Sequence, residues 1–364
     1  MTKYELGNIL IYEQPTKYIV KSENYDDSFP VPVLTPGQTF ILGYTAETEG
    51  VYSAPLPVII FDDFTTATKL VNFPFKVKSS AMKILKPANE NVFLPYWYYF
   101  LSSLKVDNGL HKRYWISTFA NRQVHCPSFQ EQKRIAERLD KVQELIAKQK
   151  EQIAKLDLLI KSRFLDMFGD PISNPKKWVM KKLKECARTN LSYGSGAKAV
   201  NYNGTVRYIR ITDIDNQGLL NKEKKSPSIF EEKYLLHQGD LLFARTGATV
   251  GKTFLYDKKY GMSVYAGYLI RFVPKIDLCH PLFVFYFTHT DYYKQFVLDK
   301  QKAVAQPNIN AQEYGELLIP LPPLSLQTQF TNFVKSVEQQ KEVFSARLSH
   351  LEILYKSLMQ EYFG

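Results

Sequence analysis

Two stretches of the chain carry apolar residues at alternating spacings of four and three. Ile135, Leu139, Val142, Ile146, Gln149, Ile153, Leu156 and Ile160 mark the first stripe. Phe330, Val334, Val337, Lys341, Phe344, Leu348, Leu351 and Tyr355 mark the second. This spacing is a coiled-coil seam, narrower than the face a helix turns to a globular core. Each stretch follows a proline, lacks internal Pro or Gly, and ends at a glycine, Gly169 or Gly364. Those are helix start and stop signals. The pattern predicts two helices of about 35 residues, roughly 50 Å long. Two matching narrow seams predict packing against each other rather than over separate domain cores.

The stripes belong to a repeat. A shift of 195 residues lays 124–169 on 319–364 without a gap. Pro127 falls on Pro322, Gln132 on Gln327, Val142 on Val337, and Phe168-Gly169 on Phe363-Gly364. Upstream, residues 94–100 echo 280–286 at a shift of 186, and Leu6 matches Leu183. The chain is therefore expected to be two copies of one plan, a variable globular part followed by a closing helix. The segments are 1–128, 129–169, 170–323 and 324–364.

The globular parts read as strand-rich. Residues 206–211 alternate with period two, placing Arg207 and Ile209 on one face and Tyr208 and Arg210 on the other. Residues 241–244 form a short buried strand that runs into the polar, Gly-rich loop 245–252. Residues 57–61, followed by 62–69, repeat that transition in the first half. The expected fold class is α+β: two mixed, β-rich domains separated by two long antiparallel coiled-coil helices, related by a pseudo-twofold internal repeat.

Charge changes the picture. The 364 residues carry a formal net charge of +11. Nine of those charges lie in 171–323, one each in 1–130 and 131–170, and none in 324–364. A basic excess favours an anionic partner. Two similar heads on rigid spacers suit a ligand with two separated sites, and duplex DNA is such a ligand. No apolar run approaches membrane length, and the N-terminus lacks the pattern of a signal peptide. Cys126, Cys186 and Cys279 are scattered without metal spacing, so a soluble protein of the reducing cytoplasm is expected.

No chemistry is visible. Gly247-Ala-Thr-Val-Gly251-Lys252-Thr253 resembles a P-loop, but that motif needs four residues between its glycines and here there are three. Asn72-Phe-Pro-Phe75 departs from the adenine-holding loop of amino-methyltransferases, since Phe73 stands where the first proline belongs. Glu231-Glu-Lys233 has a nuclease-like form without its Pro-Asp partner, and the six histidines form no pair.

Three segments, in this order, resemble the specificity (S) subunit of type I restriction-modification systems. They are Pro127-Ser-Phe-Gln-Glu-Gln-Lys-Arg-Ile135, then residues 239–252, then Asn308-Ile-Asn310 followed by Leu318-Ile-Pro-Leu-Pro-Pro-Leu324. The resemblance covers the whole chain. It implies two target recognition domains, each reading one half of a bipartite DNA target, with two conserved helices setting the unread spacer. It also implies a non-catalytic subunit that docks two methyltransferase subunits, which methylate adenine N6, and that motor-nuclease subunits then join. S-adenosylmethionine, ATP and magnesium would belong to those partners and none to this chain. The usual aromatic lead-in, represented by Trp178 in the second half, is missing from the first, or the start is shortened.

DNA contacts are expected from Lys, Arg, Thr, Asn, Gln and Tyr near polar loops. In the second domain these are Arg207, Arg210, Arg245, Thr246, Thr249 and Lys252, with Tyr265, Gln306 and Asn308 as weaker choices. In the first they are Thr65, Thr66, Thr68 and Lys69. Arg210 has an alternative partner in Asp213 or Asp215, and the threonines an alternative role in a strand. The competing reading is a coiled-coil scaffold whose basic domain binds acidic proteins.

Overall fold

The two stripes form helices at Phe129–Phe168 and Leu324–Phe363. Ser128 opens the first: its carbonyl accepts from the Gln132 N–H at 2.9 Å and its hydroxyl from the Glu131 N–H at 3.3 Å. Gly169 closes it at φ +79°, a left-handed conformation that lets its N–H reach the Leu165 carbonyl at 2.8 Å. The computed structural model describes residues 3–36, 39–104, 113–302 and 308–364. The chain divides into two compact units, residues 1–150 with 346–364, and residues 151–345.

The first unit is built on a four-stranded antiparallel sheet in the order Leu10–Glu13, Met82–Pro87, Val58–Asp62, Thr68–Val71. Alternation along its strands sends Ile59, Phe61 and Leu85 to one face, where they pack with the helix Leu94–Ser103 and with Leu139 and Leu358. Val58, Ile60 and Ile84 on the other face pack with Tyr52 and Phe75. Within this unit the helix segments run antiparallel. Arg138 donates to the Tyr362 hydroxyl at 2.8 Å, Gln143 to the Tyr355 hydroxyl at 2.9 Å, and Lys150 pairs with Glu352 at 3.1 Å.

The second unit repeats the sheet order with Ser192–Tyr193, Leu269–Phe272, Leu241–Ala244 and Thr253–Leu255. Leu241, Phe243 and Ile270 face Phe164, Phe283 and Phe330, whereas Leu242, Ala244 and Phe254 face Ile209 and Tyr265. Its helix segments are also antiparallel. Phe164 stacks edge-on to Phe330 at 5.5 Å, and Lys341 pairs with Asp157 at 2.5 Å. The short entry strands match as well: Lys3–Glu5 pairs with Gln123–His125, and Met180–Lys182 with Leu318–Pro320. Leu6 donates to the Arg122 carbonyl at 2.9 Å and Leu183 to the Leu317 carbonyl at 2.8 Å, so Leu6 and Leu183 stand at equivalent places.

Three expectations need correction. The seams do not pack only on each other. Ile135, Leu139 and Val142 are built into the first unit's core, and Ile160, Phe330, Val334 and Val337 into the second's. Ile146, Ile153, Leu156, Phe344, Leu348 and Leu351 are only half-buried. Each seam therefore serves both purposes, because its outer turns lie against a sheet. Residues 206–211 do not form one alternating strand; the strand is only Arg207–Ile209, and all three of its residues are buried. The upstream echo is displaced by one residue, as the following joint shows.

Gln132 and Gln327 are both fully buried. The Gln132 side-chain oxygen accepts from the Phe93 N–H at 2.9 Å and its amide donates to the Asn91 carbonyl at 3.1 Å. The Gln327 oxygen accepts from the His280 N–H at 2.8 Å and its amide donates to the Leu278 carbonyl at 3.1 Å. Each amide also reaches the proline carbonyl five residues back, Pro127 or Pro322. Phe93 therefore corresponds to His280, a shift of 187. Gln327→Leu is expected to leave these buried groups unpaired and to destabilise the second unit by about 2–3 kcal/mol, measurable as reduced hydrogen-exchange protection of 241–244. Wild-type protection in the variant would show the joint to be dispensable.

Candidate nucleic-acid interface

The most basic loops belong to the second unit. The strand Leu241–Ala244 leaves its sheet at Arg245, turns through Gly247–Thr249, and returns at Thr253. Gly251 is required here by close approach as well as by its φ of +85°, since an added Cβ would lie 2.7 Å from Val297. Arg245 lies over the Tyr193 ring, 4.8 Å from its centre, and its Nε donates to Asn308 Oδ1 at 3.2 Å. Thr246 pairs with Asn308 across an isolated bridge. The structure thus brings three of the candidates, Arg245, Thr246 and Asn308, together, and adds Tyr193.

Several other candidates are held by the protein itself. Thr249 donates to the Thr246 carbonyl at 3.0 Å and Lys252 to the Ile214 carbonyl at 3.1 Å, both half-buried. Arg210 pairs with buried Asp213 at 2.7 Å, and that hydrogen bond raises its pKa further above the ordinary range. Arg207 and Tyr265 are corrections: both are interior. Arg207 is 5% exposed and donates to the Asn221 carbonyl at 2.8 Å, and burial pushes its pKa below the usual value. Tyr265 is fully buried, with its hydroxyl 3.0 Å from the Ser192 hydroxyl. Gln306 lies outside the described residues.

A second feature escaped the sequence reading. Ala199–Asn201 pairs with Lys225–Pro227 as a two-stranded ribbon. Lys198, Asn201, Tyr202, Lys222 and Lys224 on and beside it are exposed. Lys224 lies 5.3 Å over the Tyr202 ring, and Asn203 turns the chain by accepting from the Thr205 and Val206 N–H groups. Such a ribbon is narrow enough for the major groove of B-DNA. Its signal was the lysine cluster 222–225 beside Asn201-Tyr-Asn-Gly204.

The first unit places different chemistry at the matching loop. The Tyr114 N–H donates to the Asp63 carbonyl at 3.0 Å, as the Ile309 N–H donates to the Arg245 carbonyl at 2.9 Å. Asp63 and Arg245 are therefore equivalent, and Arg113 stands where Asn308 does. Asp63 is buried against Lys83 at 3.4 Å and accepts from the Trp115 N–H at 2.8 Å. Of the candidates here, Thr65 donates to the Asp62 carboxylate, and Thr66 adopts φ +62°. Thr68 and Lys69 lie in the strand Thr68–Val71, not in the loop. The Thr68 hydroxyl is 2.9 Å from that of Ser102, and Lys69 is exposed, 5.9 Å from the Phe40 ring centre.

Among the described residues, no cluster of His, Cys, Asp and Glu could hold a metal ion, and no helix is long and apolar enough to cross a membrane.

Comparisons with known proteins agree with the duplicated plan. The curated EcoR124I/EcoR124II type I restriction enzyme specificity subunit of Escherichia coli is 38% identical over 269 residues, 70% of this chain and 64% of that protein. The MjaVIII specificity subunit of Methanocaldococcus jannaschii is 24% identical over 66% of this chain and 61% of its own length. The chain thus spans less than two thirds of these relatives. Among solved structures, the S subunit of a type I restriction-modification system from M. genitalium superposes with a TM-score of 0.66 at 14% identity, covering 100% of this chain and 96% of that one. A chain from a structure of type I restriction-modification complex assembly gives 0.58 at 18% identity, covering 100% and 97%. Both show the fold. The model of the type I restriction modification DNA specificity domain matches residues 1–157 and again 175–352, and the chain belongs to that family.

Proposed function

We propose that this chain is the non-catalytic specificity subunit of a type I restriction-modification assembly and that its ligand is duplex DNA. Each unit reads one half of a bipartite target, and the two helices set the length of the unread spacer. Two methyltransferase subunits dock on the chain, and motor-nuclease subunits join in the full complex. S-adenosylmethionine, ATP and magnesium are bound by those partners in the cytoplasm.

The observation that carries this reading is the duplication. One sheet order and one glutamine joint are built twice, but the loops at equivalent places differ in charge, Asp63 against Arg245. A protein whose scaffold repeats while its loops diverge is suited to two different half-sites. Mapping methylated adenines genome-wide, with and without the gene, tests it directly. A bipartite motif should vanish on deletion; methylation that persists unchanged would overturn the assignment. Titrating the chain with duplex DNA against rising salt should give a steep log-log decline in affinity. A flat response would favour a protein scaffold.

A further inference from the structure

In the second unit the Arg245 guanidinium is held in position by the protein alone. Its platform, Tyr193, pairs with Ile270 in the sheet and its hydroxyl accepts from the Ala311 N–H at 3.0 Å. Its tether, Asn308, is bridged to Thr246, and the next residue, Ile309, donates to the Arg245 carbonyl at 2.9 Å. The Arg245 N–H in turn donates to the carbonyl of Tyr268, which is 60% exposed. Among the described residues, only Nε of the guanidinium is used and Arg245 has no carboxylate partner. Its two terminal nitrogens remain as donors. The adjoining loop is open, since nothing lies within 4 Å of the position a Cβ on Gly247 would take.

A guanidinium with Nε occupied offers two parallel donors, which match the two non-bridging oxygens of a phosphodiester. Stacking on a strand residue and tethering to a bridged asparagine remove the freedom needed to search base edges. A fixed cation of this kind suits a contact that sets register, whereas an exposed ribbon suits one that reads sequence. We propose that Arg245, seated on Tyr193 and tethered by Asn308, is a phosphodiester-binding site that fixes the second unit's register on DNA. The site rests on the DNA-binding reading above. Tyr193 and Asn308 are positioning residues.

The test uses the full chain with a random-sequence duplex pool and the duplexes that the wild type enriches from it. Arg245→Gln should weaken binding about tenfold on enriched and random duplexes alike. It should also make the log-log salt slope shallower by about one while leaving base preferences unchanged. Tyr193→Leu should change both affinity and slope in the same direction, and Tyr193→Phe, which keeps the ring, should retain the wild-type slope. A partly unfolded variant loses apparent affinity equally at every salt concentration, so the slope separates positioning from folding. An unchanged slope in Arg245→Gln, or relaxed preference at a single base position, would overturn the phosphodiester site. Wild-type binding that neither depends on salt nor enriches a sequence would instead remove the DNA reading, and the site with it.

Discussion

Asp63→Ala is expected to destabilise the first unit by about 3–5 kcal/mol, because it leaves an ammonium in the interior without its counter-charge. Lys83 is 2% exposed and Asp63 1% exposed. Their atoms lie 3.4 Å apart, and Lys83 also donates to Gln14 at 2.5 Å. The carboxylate has a second duty, accepting the Trp115 N–H at 2.8 Å. Alanine removes both interactions, so the contributions must be separated. Asp63→Asn preserves an acceptor for Trp115 and removes only the charge. Combined with Lys83→Met, it should recover most of the loss, since replacing both members of a buried pair costs far less than orphaning one. Hydrogen exchange of residues 58–62 reads the first unit, with residues 241–244 as the internal reference. A single Asp63→Ala variant as stable as the wild type would mean that water or a rearranged side chain reaches Lys83.

Trp97→Ala is expected to have a comparable effect, about 3–5 kcal/mol, by a different route. The indole is fully buried, packs edge-on against Tyr96 at 5.2 Å and Phe100 at 5.4 Å, and donates to Gln132 at 3.1 Å. Truncation creates a cavity where the short helix meets the long one and removes one of the two donors to the Gln132 oxygen. Trp97→Phe refills part of the volume without the N–H, so the difference between the two variants isolates the hydrogen bond. On the proposed function, loss of the first unit's order should abolish recognition of one half of the target and leave the other half's preferences readable in duplex selection. Equal loss of both halves would mean that the units do not act separately.

Much of the architecture was legible because it is periodic. A stripe of fours and threes needs no knowledge of what it packs against, and the 195-residue shift carried the pattern from one helix to the other. The candidate interface was less legible, because its supports are distant in sequence. Arg207 looked like a strand-face cation, yet its acceptor is a backbone carbonyl 14 residues away, which no residue pattern announces. Tyr193, the platform for Arg245, lies in another strand, and nothing local links them. Lys83 sits on the face that Phe61 buries, so alternation alone would have sent an apolar residue there. Composition placed the excess charge in 171–323 without separating interior cations from exposed ones.

The joints at Gln132 and Gln327 have a consequence for how such a protein can diversify. Each glutamine recognises a carbonyl and, two residues later, an N–H, groups that every residue except proline supplies. Among the described residues, the head side chains that take part are the Trp97 indole and the Cys126 thiol, both at Gln132. A foreign head that presents that pair of backbone groups at the same spacing, and an apolar face to Ile135, Leu139 and Val142, would seat on the existing helix without any change at the glutamine. The polar part of the coupling is a socket that reads backbone groups, so on the proposed function a new specificity could be acquired whole, by exchange, where the incoming head keeps the apolar face that the helix packs against.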